Sequence, residues 1–391
     1  MTRHILRLLW NKKRSNFLLF LEIFFAFAIL FAVFTIVTRF IRMYVTPLGF
    51  ETEQVWVAHF NFNNLDYASD TSAVLDMKKR LKAEVEAMPE VEVASFIGFV
   101  SPLSGGTWQT TIDQNGFELM TTLHWVDQDY LDAVGLELVQ GRWFEEGDDQ
   151  GRYLPVVITK KLYDKHFRDR NIQDSIYTIQ GENKIIGVVR NYKYQGDFSE
   201  EKPASFFYQP AAHMEASNLV LRIAVGTTPS FEEKLNETIA SITKTNDFTI
   251  EHMNTTRSVR ARQVWIPIAA LLSICAFLVI NVAMGLFGVL WYTISKRRGE
   301  IGLRRTLGAS RGEITQQFML EILLVSFAAI GLAGVFAVQL PLLGVLDIAP
   351  ENYYIGMGLS AVLIILLVLL CTLYPSRRAA QIHPAIALHE E

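Results

Sequence analysis

The richest chemistry of this chain lies in the stretch from Ser295 to Ile314, which joins two long apolar runs. It contains six cations: Lys296, Arg297, Arg298, Arg304, Arg305 and Arg311. Positive charge in a short connection between membrane helices marks the cytoplasmic side, so the stretch is accessible to a cytoplasmic partner. Glycines interrupt the stretch, and Ile301, Leu303 and Leu307 predict one side of a short helix. The stretch therefore predicts a docking surface rather than a catalytic centre.

Residue patterns that carry catalysis are absent from the 391 residues. They contain no Gly-X-X-X-X-Gly-Lys-[Ser/Thr] loop, the motif that cradles the phosphates of ATP. The histidines are scattered without metal-ligand spacing. Ser101 and Ser104 lie beside Gly105, but no Gly-X-Ser-X-Gly elbow surrounds them, so a glycine-rich turn is expected there. The sequence predicts no enzyme activity, no metal site and no cofactor bound by this chain.

Four apolar runs are long enough to cross a bilayer, which requires about 20 helical residues. They are Phe17–Thr38, Val264–Ile294, Phe318–Leu346 and Ile355–Tyr374. The first run exceeds the roughly 7–15 apolar residues of a cleaved signal peptide, and no small-residue cleavage site follows it, so a retained anchor is expected. No helix breaker precedes Pro47, and the second helix is predicted to begin near Asn254. Two over-long helices are therefore expected to form a stalk.

Charge divides the chain between the two sides of the membrane. Residues 1–14, the 295–314 connection and Arg377–Arg378 after the last span are basic. Residues 39–263 instead carry 23 Lys and Arg against 32 Asp and Glu. Because short cytoplasmic segments are the positive ones, both termini are predicted to be cytoplasmic and the acidic block external. Residues 1–16 also combine cations with apolar residues at helical spacing, which predicts an amphipathic helix on the inner membrane surface.

The predicted fold is a membrane protein with four transmembrane α-helices and a large α+β extracytoplasmic domain inserted between helices 1 and 2. After the N-terminal helix, the expected segments are the first span with its stalk at 17–46, the external domain at 47–253, the second stalk and span at 254–294, the cytoplasmic connection at 295–314, the third span at 315–346, an external loop at 347–354, the fourth span at 355–374 and a cytoplasmic tail at 375–391.

The external domain reads as a mixture of helices and strands. Helices are predicted at Ser72–Met88 and Phe231–Thr243. Strands are predicted at Val55–Phe60, Val91–Val100, Pro155–Thr159, Lys184–Val189, Ala204–Tyr208 and Asn218–Ala224. Because the domain is large for one α+β unit, an inserted subdomain is expected near 120–215. Cys275 and Cys371 both lie in apolar spans, so no disulfide is expected in the external domain.

Polar side chains are scarce in the spans, which argues against a hydrophilic pathway for a polar substrate. Two carboxylates nevertheless lie within apolar sequence near the cytoplasmic ends of their helices, Glu22 and Glu321. A carboxylate is costly to bury alone in a membrane. Each therefore either reaches the headgroup region or pairs with cations of the 295–311 stretch. The second alternative would connect that stretch to the first and third helices.

Several motifs resemble the MacB/FtsX-like family of ABC-transporter permeases, in particular its MacB-type branch. The loop is similar to the family's Glu-Ile-Gly-X-Arg-[Arg/Lys]-X-X-Gly-Ala signature, and Glu321 follows at the position of the family's acid. The ending Tyr374–Leu388 is similar to the family's C-terminal motif, and Asp129–Phe144 and Ile185–Asn191 resemble its periplasmic core domain. The resemblance implies that the loop couples to an ATPase through Arg298, Glu300, Ile301, Gly302, Arg304, Arg305, Leu307, Gly308 and Ala309. The residues of the C-terminal motif are Pro375, Arg377, Arg378 and Pro384.

The resemblance implies an inner-membrane permease dimer, made with a second copy or a paralogue and bound to two ABC ATP-binding subunits. ATP and Mg²⁺ would bind those separate subunits, whose movement would reach the 295–311 stretch and travel along the stalk to the periplasmic domain. Tripartite members also meet a periplasmic adaptor and an outer-membrane channel. Membrane lipid, but no nucleic acid, is expected as a further partner. Two features depart from the family: its best-known member carries the ATPase on the same chain, and Glu22 stands where a small or apolar residue is expected.

Three functions remain open within this resemblance. Export or efflux with a separate ATPase is the leading hypothesis. Release of lipoproteins from the inner membrane uses the same four-span layout. Regulation of cell-wall hydrolases without transport is the third, although its known examples have a smaller external domain. The substrate is not readable from the sequence.

Overall fold

The computed structural model describes residues 13–60, 71–114, 117–168, 176–178, 182–210 and 217–380. Most of the predicted N-terminal helix at 1–16, and Pro384 of the C-terminal motif, lie outside the described residues. The described helices are α1 (Lys13–Val45), α2 (Thr71–Glu86), α3 (Tyr130–Val134), α4 (Lys160–His166), α5 (Ser230–Thr243), α6 (Met253–Lys296), α7 (Arg298–Thr306), α8 (Arg311–Leu342) and α9 (Pro350–Ala380).

Four of the described helices are long and apolar enough to cross a membrane. By length and composition, the candidate spans are Phe17–Val45, Met253–Lys296, Arg311–Leu342 and Pro350–Pro375. Helix α1 has 33 residues and α6 has 44. At about 1.5 Å per residue these helices measure about 50 Å and about 66 Å, against about 30 Å of hydrocarbon in a bilayer. Both helices are therefore longer than a membrane crossing requires.

The chain folds as two compact units. One unit comprises residues 1–42 and 265–391 and contains most of the apolar helices, and the other comprises residues 43–264. In the first unit, α8 and α9 pack with α1 around a core that includes Phe27, Phe31, Ala329 and Ile364. Small residues at such contacts let helices approach closely in a membrane.

The second unit is built on one mixed sheet. Its strands are β1 (Val55–Phe60), β2 (Val91–Gly98), β3 (Gln109–Gln114), β4 (Phe117–Val126), β5 (Leu138–Gly141), β6 (Leu154–Thr159), β7 (Ile176–Thr178), β8 (Glu182–Val189), β9 (Ala204–Tyr208), β10 (Ser217–Ile223) and β11 (Phe248–His252). They are ordered β11-β1-β10-β2-β4-β9-β6-β8-β5, with β3 on β4 and β7 on β8. The β4–β9 and β6–β8 pairs are parallel, and the others are antiparallel.

Two helical layers cover different parts of this sheet. Helices α2 and α5 bury Leu81, Leu235 and Ile239 against the β1, β2 and β10 region. Helix α4 buries Leu162 against β6 and β8. The segment expected to form an inserted subdomain, near 120–215, thus has its own apolar cluster, but its strands continue the same sheet instead of forming a separate one.

A buried histidine lies at the centre of the second unit. The Tyr192 hydroxyl is 2.5 Å from His124 Nε2, and the imidazole packs against the Tyr194 and Phe206 rings. Burial raises the pKa of the Tyr192 phenol, so the phenol keeps its proton while it shares a hydrogen bond with the imidazole. Burial also lowers the pKa of His124 to about 3, so the imidazole is neutral in the folded protein.

We expect His124 to make the domain sensitive to acid. The unfolded chain takes up a proton near the ordinary histidine pKa, whereas the folded chain resists protonation until about 3, so stability is full at neutral pH and falls as the pH drops through this window. Between about pH 7 and about pH 4.5, the loss should reach about 2.7 kcal/mol.

Thermal unfolding of the detergent-solubilised chain as a function of pH measures this loss. His124→Gln should flatten the pH dependence by about that amount. Tyr192→Phe is the matched control, because it removes the hydroxyl but keeps the imidazole buried, so the acid sensitivity should persist. An unchanged pH profile in His124→Gln would contradict the assignment.

Candidate coupling site

The connection between the second and third apolar helices folds into a short helix of its own. Helix α6 ends at Lys296, and α7 begins after Arg297. Helix α7 is followed by Gly308 in the left-handed region (φ 97°), a conformation that glycine adopts without the penalty of a side chain. Ser310 then caps α8, and its hydroxyl and the Glu313 carboxylate form a reciprocal capping box. The turn on either side of α7 is therefore well defined.

An apolar cluster holds α7 against the flanking helices. Ile301 is buried among Ile294 of α6 and Ile314 and Phe318 of α8, and Ala309 packs alongside. Leu303 and Leu307 are exposed. The expectation that Ile301, Leu303 and Leu307 share one side is therefore wrong. Successive helical residues are about 100° apart, so Leu303 is rotated by about 200° from Ile301, whereas Leu307 follows Leu303 by one turn.

A buried ion pair joins the start of α7 to α8. The Arg297 guanidinium is 7% exposed, and its Nη1 donates to Glu321 Oε2 at 2.8 Å. The same guanidinium lies over the Phe318 ring, with Cζ 5.3 Å from the ring centre. Gln317 Nε2 donates to the other Glu321 oxygen at 3.1 Å. Both oxygens of this carboxylate thus have partners, as a buried charge requires.

The network continues onto the surface of α7. Arg304 Nη1 donates to Gln317 Oε1 at 2.5 Å, and Arg304 Nη2 is 2.7 Å from Glu300 Oε1. Glu300 is also 3.7 Å from Arg297 Nε. Arg304, expected from the sequence to face a partner, thus braces α7 against α8 through Gln317, and Glu300 holds Arg304 from within α7. Leu303 of α7 and Leu307 in the turn after it are exposed apolar side chains, with Leu307 80% exposed.

The other sequence-predicted site residues are placed less fully. Arg298, Gly302 and Arg305 belong to α7, but the structure does not describe their side chains. Pro375 is buried within α9 and Arg377 is exposed, while Arg378 lies in the same helix. Arg297 was counted in sequence only as one of six cations. Its contact with Glu321 depends on a turn that brings residues 24 positions apart together.

Glu22 has a different environment from Glu321. Its carboxylate lies against Gly285 of α6, so close that a Cβ added there would be 2.0 Å from Glu22 Oε1. Among the described side chains, no cation lies within ion-pair distance of this carboxylate. Glu321 therefore pairs with a cation of the 295–311 stretch, whereas Glu22 occupies a notch that Gly285 leaves in α6.

We expect Gly285→Ala to disturb this contact. The added methyl would force the Glu22 carboxylate out of the notch, and because this is the end of a flexible side chain the cost should lie at the low end of overpacking, about 1 kcal/mol. Thermal unfolding in detergent should show a lower melting temperature. The double variant Glu22→Ala with Gly285→Ala should regain most of the loss, because the clashing atoms are gone. Equal melting temperatures for Gly285→Ala and the wild type would show that the Glu22 carboxylate does not occupy the space beside Gly285.

The described residues offer no metal centre, since no group of three His, Cys, Asp or Glu side chains within them is positioned to hold an ion. The assembled features of the α6–α8 segment are instead a braced, cation-rich helix with exposed leucines at Leu303 and, just after it, Leu307. Exposed apolar side chains rimmed by polar ones are suited to docking another protein.

Comparisons with known proteins identify both halves of the chain. The model described as "MacB-like periplasmic core domain" matches residues 17–243, and that described as "FtsX-like permease C-terminal" matches residues 271–384. The "Macrolide export ATP-binding/permease protein MacB" of Neisseria meningitidis is 25% identical over 252 residues, which cover 62% of this chain and 38% of that protein. Its namesake from Bartonella quintana is 24% identical over 323 residues, covering 80% and 48%.

The chain spans less than half the length of these curated relatives. Among solved structures, the periplasmic region of MacB from Actinobacillus actinomycetemcomitans is 15% identical, with a TM-score of 0.38, and covers 56% of this chain and 97% of that one. The periplasmic-domain model matches more than half of the sequence. The four apolar helices and this domain fit an inner-membrane protein, and the chain belongs to the MacB/FtsX-like family of ABC-transporter permeases.

Proposed function

We propose that this chain is the permease subunit of an ABC-type export system and transmits the movement of a separate ATP-binding subunit to its periplasmic domain. The observation that carries the proposal is the braced helix α7. The buried Arg297–Glu321 pair ties it to α8, while Leu303 and Leu307 remain exposed. A helix fixed on one face and open on the other can receive a push and pass it to the helices on both sides.

Sidedness and the site of ATP chemistry complete the proposal. The basic 295–314 segment favours a cytoplasmic position for α7, with both termini on the same side. ATP and Mg²⁺ would bind outside these 391 residues, which contain no phosphate loop, and we place them on the ATP-binding subunit. The scarcity of polar residues in the spans favours a substrate handled outside the inner membrane.

The proposed assembly contains a second permease, either a copy of this chain or a paralogue. A candidate surface for it lies on α6, which has the least covered of the four candidate spans. Its exposed apolar side chains include Trp265, Ile266, Phe277 and Met284. Lipid covers such a face adequately, and a second permease covers it equally well. A periplasmic adaptor and an outer-membrane channel would complete a tripartite exporter.

Co-purification from the native membrane in mild detergent tests the proposal. We expect an ABC ATP-binding subunit to be retained, together with a periplasmic adaptor. Retention of the ATPase with acylated lipoproteins would instead favour lipoprotein release, and retention with a cell-wall hydrolase would favour regulation. Absence of any ATP-binding subunit would refute all three. Because the curated relatives are named for macrolide export, macrolides are the first substrates to test in an export assay.

A further inference from the structure

The ends of the periplasmic domain meet at one loop. The chain enters the domain at the end of α1, near Met43, and leaves it at the start of α6, near Arg257. Residues 190–203 connect β8 to β9 and contact both of these segments. Because β9 lies between β4 and β6, this loop leads directly into the middle of the sheet.

The contact between the loop and α6 is a bidentate ion pair. Arg257 Nε donates to Asp197 Oδ2 and Arg257 Nη2 to Asp197 Oδ1, both at 2.8 Å. Asp197 is 7% exposed, so the pair is partly shielded from water. Arg257 Nη1 also reaches Thr52 Oγ1 at 3.4 Å. The guanidinium is therefore fixed in both position and orientation, because paired hydrogen bonds constrain its plane.

The contact with α1 uses a buried lysine. Lys193 Nζ donates to the Met43 carbonyl at the end of α1 and to the Asp197 carbonyl at 2.8 Å. The Lys193 backbone N–H donates to the Leu48 carbonyl at 2.8 Å. Tyr44 stacks on Phe198 of the same loop, with ring centres 5.4 Å apart. One loop thus holds the last turn of α1 and the second turn of α6 together.

We propose that Lys193, Asp197 and Arg257, here named the stalk clasp, are positioning residues that deliver the movement of α1 and α6 to the sheet. This inference rests on the proposed function. Apolar contacts resist the separation of two segments but let them slide past each other. A bidentate, partly shielded ion pair also fixes their relative orientation. A displacement of either helix therefore moves loop 190–203. A second contact, from Arg260 Nε to the Leu103 carbonyl, fixes α6 to the segment after β2 in the same manner.

The domain contains a matched control for the clasp. Arg142 and Asp148 form another bidentate ion pair, with hydrogen bonds of 2.7 and 2.8 Å. This pair is exposed and is distant in sequence from both stalk helices. Arg257→Lys and Arg142→Lys each keep a positive charge but lose the planar guanidinium that makes the paired hydrogen bonds. A purely structural role predicts similar effects for both variants, whereas the clasp predicts an effect on coupling only for Arg257→Lys.

Hydrogen exchange measured by mass spectrometry provides a readout that needs no substrate. The full chain, reconstituted in nanodiscs with its co-purified ATP-binding subunit, is compared with and without ATP. In the wild type, we expect ATP to change exchange both in α7 and in residues 190–203. Arg257→Lys should keep the change in α7 and reduce that in the loop by roughly threefold or more, because the directional contact is lost. Arg142→Lys should match the wild type.

A charge exchange tests the pairing itself. Asp197→Arg alone should abolish the response of the loop, and Asp197→Arg with Arg257→Asp should restore a substantial part of it. If the reversed variants do not fold, the two lysine variants decide the question. If ATP changes hydrogen exchange in residues 190–203 equally in Arg257→Lys and the wild type, the clasp alone is refuted. The clasp alone is also refuted if ATP changes exchange in α7 of the wild type but not in residues 190–203. A wild type without any response in α7 refutes the proposed function, and the clasp with it.

Discussion

Glu321→Gln is expected to remove most of the transport activity, whereas Glu321→Asp retains a substantial part of it. The glutamine removes the carboxylate that lies 2.8 Å from the buried Arg297 guanidinium and leaves only the half-exposed Glu300 carboxylate, 3.7 Å from Nε, as a counter-charge. Loss of one partner from a buried ion pair typically costs about 3–5 kcal/mol. Aspartate keeps the negative charge, but its side chain is shorter by one methylene group. The measurement is export by cells that contain the partner ATPase, with the amount of folded permease determined in parallel.

A paired substitution separates coupling from stability. Arg297→Met with Glu321→Leu replaces the ion pair by apolar side chains, a change that is often neutral or stabilising for the fold. We expect this variant to fold and yet to export poorly, because Glu321 no longer accepts from Gln317, through which Arg304 is braced. Equal activity of Glu321→Asp and Glu321→Gln would rule out a role for the ion pair in coupling.

Leu303→Asp with Leu307→Asp is expected to release the ATP-binding subunit. Both leucines are exposed, so the substitutions should leave the permease folded while placing charge in a desolvated contact. A loss of two interface anchors should weaken retention by about tenfold or more, equivalent to about 1.4 kcal/mol or more. Retention of the ATPase on the tagged permease after mild-detergent purification gives the measurement.

Two further variants make this result interpretable. Val225→Asp is the control, since Val225 is as exposed as Leu307, at 80%, but lies in the periplasmic domain. Arg304→Glu with Arg305→Glu should also lower retention, but Arg304 braces Gln317 and Glu300 internally, so this variant disturbs α7 as well as any docking. Undiminished retention in both the leucine and the arginine variants would refute the docking role of α7.

The long helices and the apolar-rich strands could be predicted from the sequence because their signals are local. Predicted Val55–Phe60 and Ala204–Tyr208 coincide with β1 and β9. The β3–β4 hairpin was missed, because β3 is largely polar. The Asn115–Gly116 pair in the sequence was the available signal, since Asn-Gly between two extended runs favours a tight hairpin turn.

The internal geometry of the candidate coupling site could not be predicted from the sequence. Charge and glycine spacing pointed to the segment, but they did not indicate which cation would be buried. That choice depends on the turns at Arg297 and Gly308, which bring Arg297 to Glu321 and set which face of α7 packs on the flanking helices. The stalk clasp likewise joins residues 60 positions apart through tertiary packing. No periodic pattern reports such contacts.

The pairing of β1 with β11 fixes when the periplasmic domain can be completed during synthesis. Strand β1 follows α1 at the beginning of the domain, yet it lies between β10 and β11, which are the last strands made. Strand β11 ends at His252, immediately before α6. Contacts between such distant segments form slowly. The sheet edge at β1 must therefore stay unpaired until nearly all of the domain has been translocated, and the second span is the next segment to emerge from the ribosome.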